Sequence, residues 1–550
     1  MVKAVLQRAT LCLGLLVGSV TACSDDGSPG GGAPGAPDGS TPDSAEGEGG
    51  SADGSTADAD LQPCELDTPL GRLKGKLASG QLVDRTCQFL GIPYGKAPVG
   101  ALRFAPPEPA GAWQGVRDAT TFGPSCMQRS SLVPGGANMS EDCLSLNIYM
   151  PNLPSSAPTM VFIHGGGYTL GGSSAYDGTL LSEHSGNVIV TINYRLGAFG
   201  FFAHPDLDSQ RPQAPSGSDG IRDQQLALRW VKDNISAFHG SPVNVTVFGE
   251  SAGSGSASLH LVSPLSRDLA QRFILQSGAS VGTGFGISSR EAGYALATAM
   301  GSALCAGATD VLACLRAKPA QELVDWTGGA TGLFGAGWTP VIEGRAGGVL
   351  PDSPQNLIAH NNYNNAAQII AGTNKNEWGL FQLPVLGGMP LATMAQFKAA
   401  VAEQFGTRAA EVEAQYSVAT DAEANDVYVR LMTDLLFRCP TRLLARLTTR
   451  HGTHFYLYSF EEGTAYHADE LSYVFGTAGF FGMTPMQPLG YHMQAYWNGF
   501  AESGVPGGDG LPSWQKYDSV SEFHLVLKNP ISSGSGLAKS DCDFWERFNP

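Results

Sequence analysis

Apolar residues recur along the chain in two patterns. Thr159-Met160-Val161-Phe162-Ile163 and Val188-Ile189-Val190-Thr191-Ile192 are apolar almost throughout, as strands buried on both faces are. Val243-Asn244-Val245-Thr246-Val247-Phe248 alternates Val, Thr and Phe and predicts another strand. Residues 272–276, 367–373 and 454–459 predict three more, and short strands are expected near 71–77 and 89–94. Residues 142–150 alternate as a half-buried strand does. Residues 224–233 carry apolar positions at helical spacing, and 283–363 and 380–450 predict inserted helical segments. Strands alternating with helices predict an α/β fold, a central and mostly parallel sheet covered by helices on both faces. No internal repeat is visible.

The N-terminus departs from this pattern. Lys3 and Arg8 precede an apolar run from Ala9 to Val17, too short to span a bilayer. It ends in Val20-Thr21-Ala22-Cys23, which resembles a bacterial lipoprotein signal, with Cys23 as the lipidated residue. Residues 1–22 are therefore expected to be a signal peptide. Residues 24–60 are built mainly of Gly, Ser, Ala, Pro and Asp, without an aromatic or basic residue. Such a segment cannot bury a core. Residues 23–60 are expected to form a lipid-anchored disordered tether reaching about 35 Å, and 61–550 the folded domain. An envelope location is expected, on the outer membrane or cell surface, with membrane contact only through that anchor. No later run is apolar and long enough for a membrane span.

The formal charge is −17 over the whole chain, of which residues 61–550 carry −10. That balance argues against nucleic acid as a partner. Ten cysteines are present. Apart from Cys12 and Cys23, eight remain in a chain expected to be exported, the setting for disulfides. Cys305 and Cys314 are close enough in sequence to close a small loop, and so are Cys126 and Cys143, though spacing alone fixes no pairing. No C-x-x-C or H-x-x-x-H spacing occurs, so neither a metal site nor a cofactor is expected.

The candidate chemistry lies where the strand 243–248 ends. Gly249-Glu250-Ser251-Ala252-Gly253 is a G-x-S-x-G turn between a strand and a helix, the nucleophile elbow. With 71 glycines in the chain the pattern recurs by chance, and Gly278-Ala279-Ser280-Val281-Gly282 also matches. Beyond Ser280 the chain runs into Gly282-Thr-Gly-Phe-Gly286, a poor helix former, so Ser251 is the stronger candidate. His164-Gly165-Gly166-Gly167 directly follows an apolar strand. The N–H groups of Gly166 and Gly167, with that of Ala252, are suited to holding an oxyanion; one such donor contributes about 3–4 kcal/mol to lowering the barrier. A serine hydroxyl also needs a base and an orienting acid, in the chain order oxyanion loop, Ser, acid, His.

Phe89-Leu-Gly-Ile-Pro-Tyr, Leu102-Arg-Phe, Glu141-Asp-Cys-Leu-Ser-Leu-Asn, His164-Gly-Gly-Gly, Asn193-Tyr-Arg and Phe248-Gly-Glu-Ser-Ala-Gly together resemble the type B carboxylesterases, the family of carboxylesterases and cholinesterases. The resemblance spans about residues 65–549. It implies an α/β-hydrolase fold and cleavage of carboxylic esters through an acyl intermediate on Ser251. Gly372-Thr-Asn-Lys-Asn-Glu377 resembles the family's acid motif, with Asn376 where many members have Asp, so Glu377 is the acid. Tyr466-His467-Ala-Asp-Glu470 resembles its histidine motif, making His467 the base. His260, nine residues after Ser251, reads as a packing residue. The resemblance further implies the disulfides Cys126–Cys143, Cys305–Cys314 and Cys439–Cys542, leaving Cys64 with Cys87, and the scaffold ion pairs Arg103–Glu141 and Arg195–Asp223.

Cholinesterases carry a choline-binding Trp in the loop corresponding to residues 126–143. No aromatic residue occurs there in this chain, which disfavours a cationic substrate. Small-molecule or lipid esters are expected instead, with 330–345 and 378–395 either lining an acyl pocket or serving as core. The alternatives are a lipase or amidase with the same triad, and a non-catalytic adhesion protein of the same family. These motifs carry no information on oligomeric state.

Overall fold

The computed structural model describes residues 64–78, 86–129, 138–151, 156–284, 286–329, 336–345, 347–477 and 488–548. The expected signal peptide, the tether and Cys23 lie outside them. Eleven strands form one sheet. From one edge the order is Lys76–Leu77, Thr86–Pro93, Ser145–Pro151, Val188–Ile192, Ala157–Ile163 and Gly240–Glu250. It continues through Arg272–Gln276, Gln368–Asn374, Phe455–Phe460, Phe523–Leu527 and Ser532–Ser535. The strands from Val188–Ile192 to Phe523–Leu527 run parallel, and the others are antiparallel.

The continuous apolar runs are explained by two cores, one on each face. Along Ala157–Ile163, Val161 and Ile163 enter one cluster, which includes Ile221 and Val231 of the helix Asp219–Asn234. Met160 and Phe162, on the opposite face, enter a second with Met493 and Trp497 of the helix Pro488–Ser503. Side chains alternate across a strand, so a strand covered on both faces has no polar positions to spare.

The same logic corrects one expectation. Ser145–Pro151 is buried almost throughout rather than on one face. It lies inside the sheet, antiparallel to Thr86–Pro93 on one side and Val188–Ile192 on the other. Its polar Asn147 is satisfied internally, with Nδ2 donating to Ser173 Oγ and Thr191 Oγ1 at 3.0 Å each.

The inserted helices Met394–Phe405, Ala409–Gln415 and Ala424–Thr433 build a third cluster with the C-terminal helix Lys539–Phe548, around Phe397, Val412, Leu431 and Trp545. All four expected disulfides are formed: Cys64–Cys87, Cys126–Cys143, Cys305–Cys314 and Cys439–Cys542. Both expected ion pairs are present, Arg103 Nε to Glu141 at 2.7 Å and Arg195 Nη2 to Asp223 at 2.7 Å. Among the described residues no helix is long and apolar enough to cross a membrane.

Candidate active site

The strand Gly240–Glu250 ends at a turn that reverses directly into the helix Ala252–Val262. Ser251 sits at the reversal with φ 57° and ψ −124°, a conformation costing a non-glycine residue about 1–3 kcal/mol. The strain is held by neighbours: Ser251 N donates to the Gln276 carbonyl at 2.9 Å, and Gly255 N donates to the Ser251 carbonyl at 2.9 Å. Gly253 is required by close approach, since a Cβ there would land on the Ile163 carbonyl. Ser251 is buried, and its hydroxyl makes no hydrogen bond with any described residue.

Ser280, the other pattern match, lies after the strand Arg272–Gln276 and leads into no helix directly. Its hydroxyl donates to the Gly255 carbonyl at 3.2 Å, so it packs against the elbow helix. His260 is likewise structural. It is buried, with Nδ1 3.0 Å from Ser266 Oγ and Nε2 3.0 Å from Gln224 Oε1, and burial depresses its pKa to about 3.

The glycine loop after Ala157–Ile163 lies against the elbow. A Cβ on Gly165 would come within 2.8 Å of the Glu250 carbonyl and 2.9 Å of Ser251 Cβ. Gly166 and Gly167 have φ of 103° and 62°, the left-handed region that favours glycine. Among the described residues no acceptor takes their N–H groups. His164 anchors the loop by stacking on Tyr194, whose hydroxyl donates to the His164 carbonyl at 3.0 Å.

Glu377 opens a short 3-10 turn after the strand Gln368–Asn374. One oxygen, Oε1, accepts the Asn374 N–H at 2.7 Å. The other, Oε2, lies 2.6 Å from His467 Nδ1, joining two residues 90 apart in sequence. Both side chains are buried. Asn376 has a definite role: its N–H donates to the Ala465 carbonyl and its Nδ2 to the Thr464 carbonyl, each at 3.0 Å. An aspartate has no side-chain donor for the second bond. Asp469 Oδ2 accepts from Tyr466 N at 2.7 Å and Thr464 Oγ1 at 2.6 Å, fixing the loop that presents His467.

Two further carboxylates, unassigned from sequence, complete this region. Glu250 Oε1 lies 3.0 Å from His467 Nε2, close but not aligned for a hydrogen bond. Glu470 accepts from Gln276 Nε2 at 3.1 Å and Asn374 Nδ2 at 2.6 Å. Burial raises Glu250 to about 8 and Glu470 to about 7. Burial alone would lower His467, but Glu250 and then Glu377 more than offset it and raise it to about 9. Burial and the like charge of neighbouring carboxylates therefore favour the protonated forms of Glu250 and Glu470. Neither role is marked in the sequence: Glu250 occupies a variable position of the elbow pattern, and Glu470 comes three residues after His467.

Parallel strands, a serine on a strained elbow at the strand ends and a carboxylate seated on an imidazole are the marks of an α/β-hydrolase of the serine type. Within that class the model of the Carboxylesterase family matches residues 62–545, and the chain belongs to this family. It is a hydrolase of carboxylic esters. Its relatives include Carboxylesterase 1C of Mus musculus, 32% identical over 526 residues, covering 88% of this chain and 93% of the relative. Liver carboxylesterase of Sus scrofa is 33% identical over 537 residues, covering 88% and 92%. Liver carboxylesterase 1 of Oryctolagus cuniculus is 34% identical over 539 residues, covering 88% and 93%.

Proposed function

We propose that ester hydrolysis proceeds by two acyl transfers on Ser251. His467 Nε2 takes the Ser251 proton as Oγ attacks the ester carbonyl. The N–H groups of Gly166, Gly167 and Ala252 hold the oxyanion. Collapse of the tetrahedral intermediate breaks the ester C–O bond, and the alcohol leaves with the proton from His467. Water then gives its proton to His467, attacks the acyl-enzyme and releases the acid and free Ser251. Glu377 holds Nδ1 protonated and stabilises the imidazolium. The observation that carries this reading is the 2.6 Å contact between Glu377 and His467 beside the elbow. Two unengaged glycine N–H groups next to Ser251 support it.

The substrate class proposed is small uncharged or lipid esters. Trp326, Ala336 and Trp338 line a shallow cleft open to solvent, together with Thr169 and Leu170, which follow the glycine loop. Its aromatic and aliphatic lining suits an apolar acyl or alcohol group. Hydrolysis of p-nitrophenyl butyrate by wild type, Ser251→Ala and Ser280→Ala tests the assignment. Loss of at least about a thousandfold in the first variant only is expected. Equal turnover by Ser251→Ala would sink the nucleophile assignment, and an inactive wild type would favour the adhesion reading. A panel of esters from acetate to palmitate, with matching amides, separates esterase from lipase and amidase.

The lipoprotein form is part of the same proposal. Support comes from the Val20-Thr21-Ala22-Cys23 motif and the uncharged-to-acidic tether after it. Radiolabelled palmitate should enter wild type but not Cys23→Ala, with the protein in the envelope fraction. An unlabelled wild type would refute the anchor.

A further inference from the structure

Between the helices Ala424–Thr433 and Cys439–Thr449 the chain makes a π-helical turn, Asp434–Arg438, with every residue buried. Such turns shift the register of the side chains after them and concentrate at functional sites. Here consecutive residues reach one member of the buried dyad, His467, and the loop that carries the other, Glu377. The Phe437 ring lies 4.9 Å from the His467 imidazole, and Phe381, stacked on Phe437 at 6.4 Å, lies 5.3 Å from it. Arg438 Nη2 donates to the Lys375 carbonyl at 2.8 Å, two residues before Glu377. Its Nη1 pairs with Asp434 in the same turn.

Asp434 is itself fixed from behind. Tyr416 Oη donates to Asp434 Oδ2 at 3.1 Å and accepts from Trp545 Nε1 of the C-terminal helix at 2.8 Å. Cys439, the next residue after Arg438, is bonded to Cys542 of that helix. The guanidinium is planar, so fixing one nitrogen on Asp434 dictates where the other places the Lys375 carbonyl.

We propose that Arg438 is a positioning residue for ester hydrolysis, holding the acid loop so that Glu377 meets His467 while Phe437 bears on the imidazole from the same turn. The inference rests on the roles proposed above for Glu377 and His467. Arg438 touches no reacting atom. It acts through the Lys375 backbone, and the exposed Lys375 side chain takes no part. A lysine at 438 keeps a positive charge beside Asp434 but cannot span both partners.

The test uses Arg438→Lys and Asp434→Asn/Arg438→Met, the second removing the buried pair together so that no charge is left uncompensated. Active sites are counted with a phosphonate that phosphonylates Ser251, and kcat, KM and the pH profile are read per active site. The expected result is a kcat about ten- to a hundredfold lower, with KM for p-nitrophenyl butyrate nearly unchanged. The ascending limb of the kcat/KM profile should also move to lower pH, because a less well seated carboxylate supports the imidazolium less. Arg438→Lys should fall between wild type and the double variant. Wild-type kcat and an unmoved limb in folded Arg438→Lys would overturn the proposal, as would a loss confined to thermal stability. Phe437→Leu, which leaves the ion pair intact, gives an independent reading on the same limb. Ser251→Ala separates the two levels. If it remains active, the triad reading fails; if it is inactive while the Arg438 variants match wild type, only the positioning role fails.

Discussion

Replacing Glu250 with Gln should move the pH profile of ester hydrolysis to lower pH. Glu250 Oε1 lies 3.0 Å from His467 Nε2 in a buried site. A full charge pair at that distance is worth about 5.5 kcal/mol at an effective dielectric of about 20, or about four pKa units on the imidazole. One feature reduces this. Burial raises Glu250 itself to about 8, so it holds its own proton through much of the neutral range and the pair is not fully charged over the whole titration of His467. The net shift expected is therefore about one to two units. Its sign is set by the state needed for catalysis. In the mechanism proposed above His467 acts as the base and must be neutral, and, raised to about 9, it becomes neutral only as pH climbs through that value. Removing a negative neighbour lowers that pKa, so the ascending limb of kcat/KM moves acidward and activity near neutral pH gains relative to the alkaline plateau. The assay is initial-rate hydrolysis of p-nitrophenyl butyrate across the neutral and alkaline range, with chromatographic folding controls. A limb that stays in place, or moves alkaline, would refute the electrostatic account of Glu250.

Packing and covalent closure make two stability predictions. Gly253→Ala places a methyl on the Ile163 carbonyl, and backbone cannot move aside without breaking the sheet. The clash should cost at least about 1–3 kcal/mol, read as lost soluble yield and a lower Tm; a soluble variant with wild-type Tm would refute it. The pair Cys439→Ser/Cys542→Ser opens a closure spanning 103 residues, worth about 4–5 kcal/mol in the loop-entropy model. Thermal or urea unfolding should show the largest loss here and the smallest for Cys305→Ser/Cys314→Ser, whose separation is nine residues. The reverse order would refute the entropic account.

The elbow and the glycine loop were legible because their requirements are local. A tight reversal against a neighbouring strand demands small residues at fixed offsets from Ser251, and those offsets are contiguous in the chain. The dyad was legible only through likeness to a family. Nothing in the spacing of Glu377 and His467, 90 residues apart, says that they meet. Glu250 and Glu470 were not legible at all as neighbours of the imidazole, since their approach depends on how strand ends stack across the sheet. Residues 142–150 show the limit of periodicity. Polar Ser145 and Asn147 alternate with apolar residues as on an exposed face, yet they are buried, and internal hydrogen bonds of Asn147 replace water. The π-helical turn at 434–438 has no period of its own and was invisible inside a helical pattern.

The Cys439–Cys542 bond encloses His467, and this bears on survival among proteases. A single cut in the backbone between those two cysteines leaves the two pieces covalently joined. Where the cut falls before His467, the fragment carrying His467 stays tethered to the fragment carrying Ser251 and Glu377. Nicked enzyme would run as one band without reductant and as two with it, and dilution would not separate His467 from Ser251.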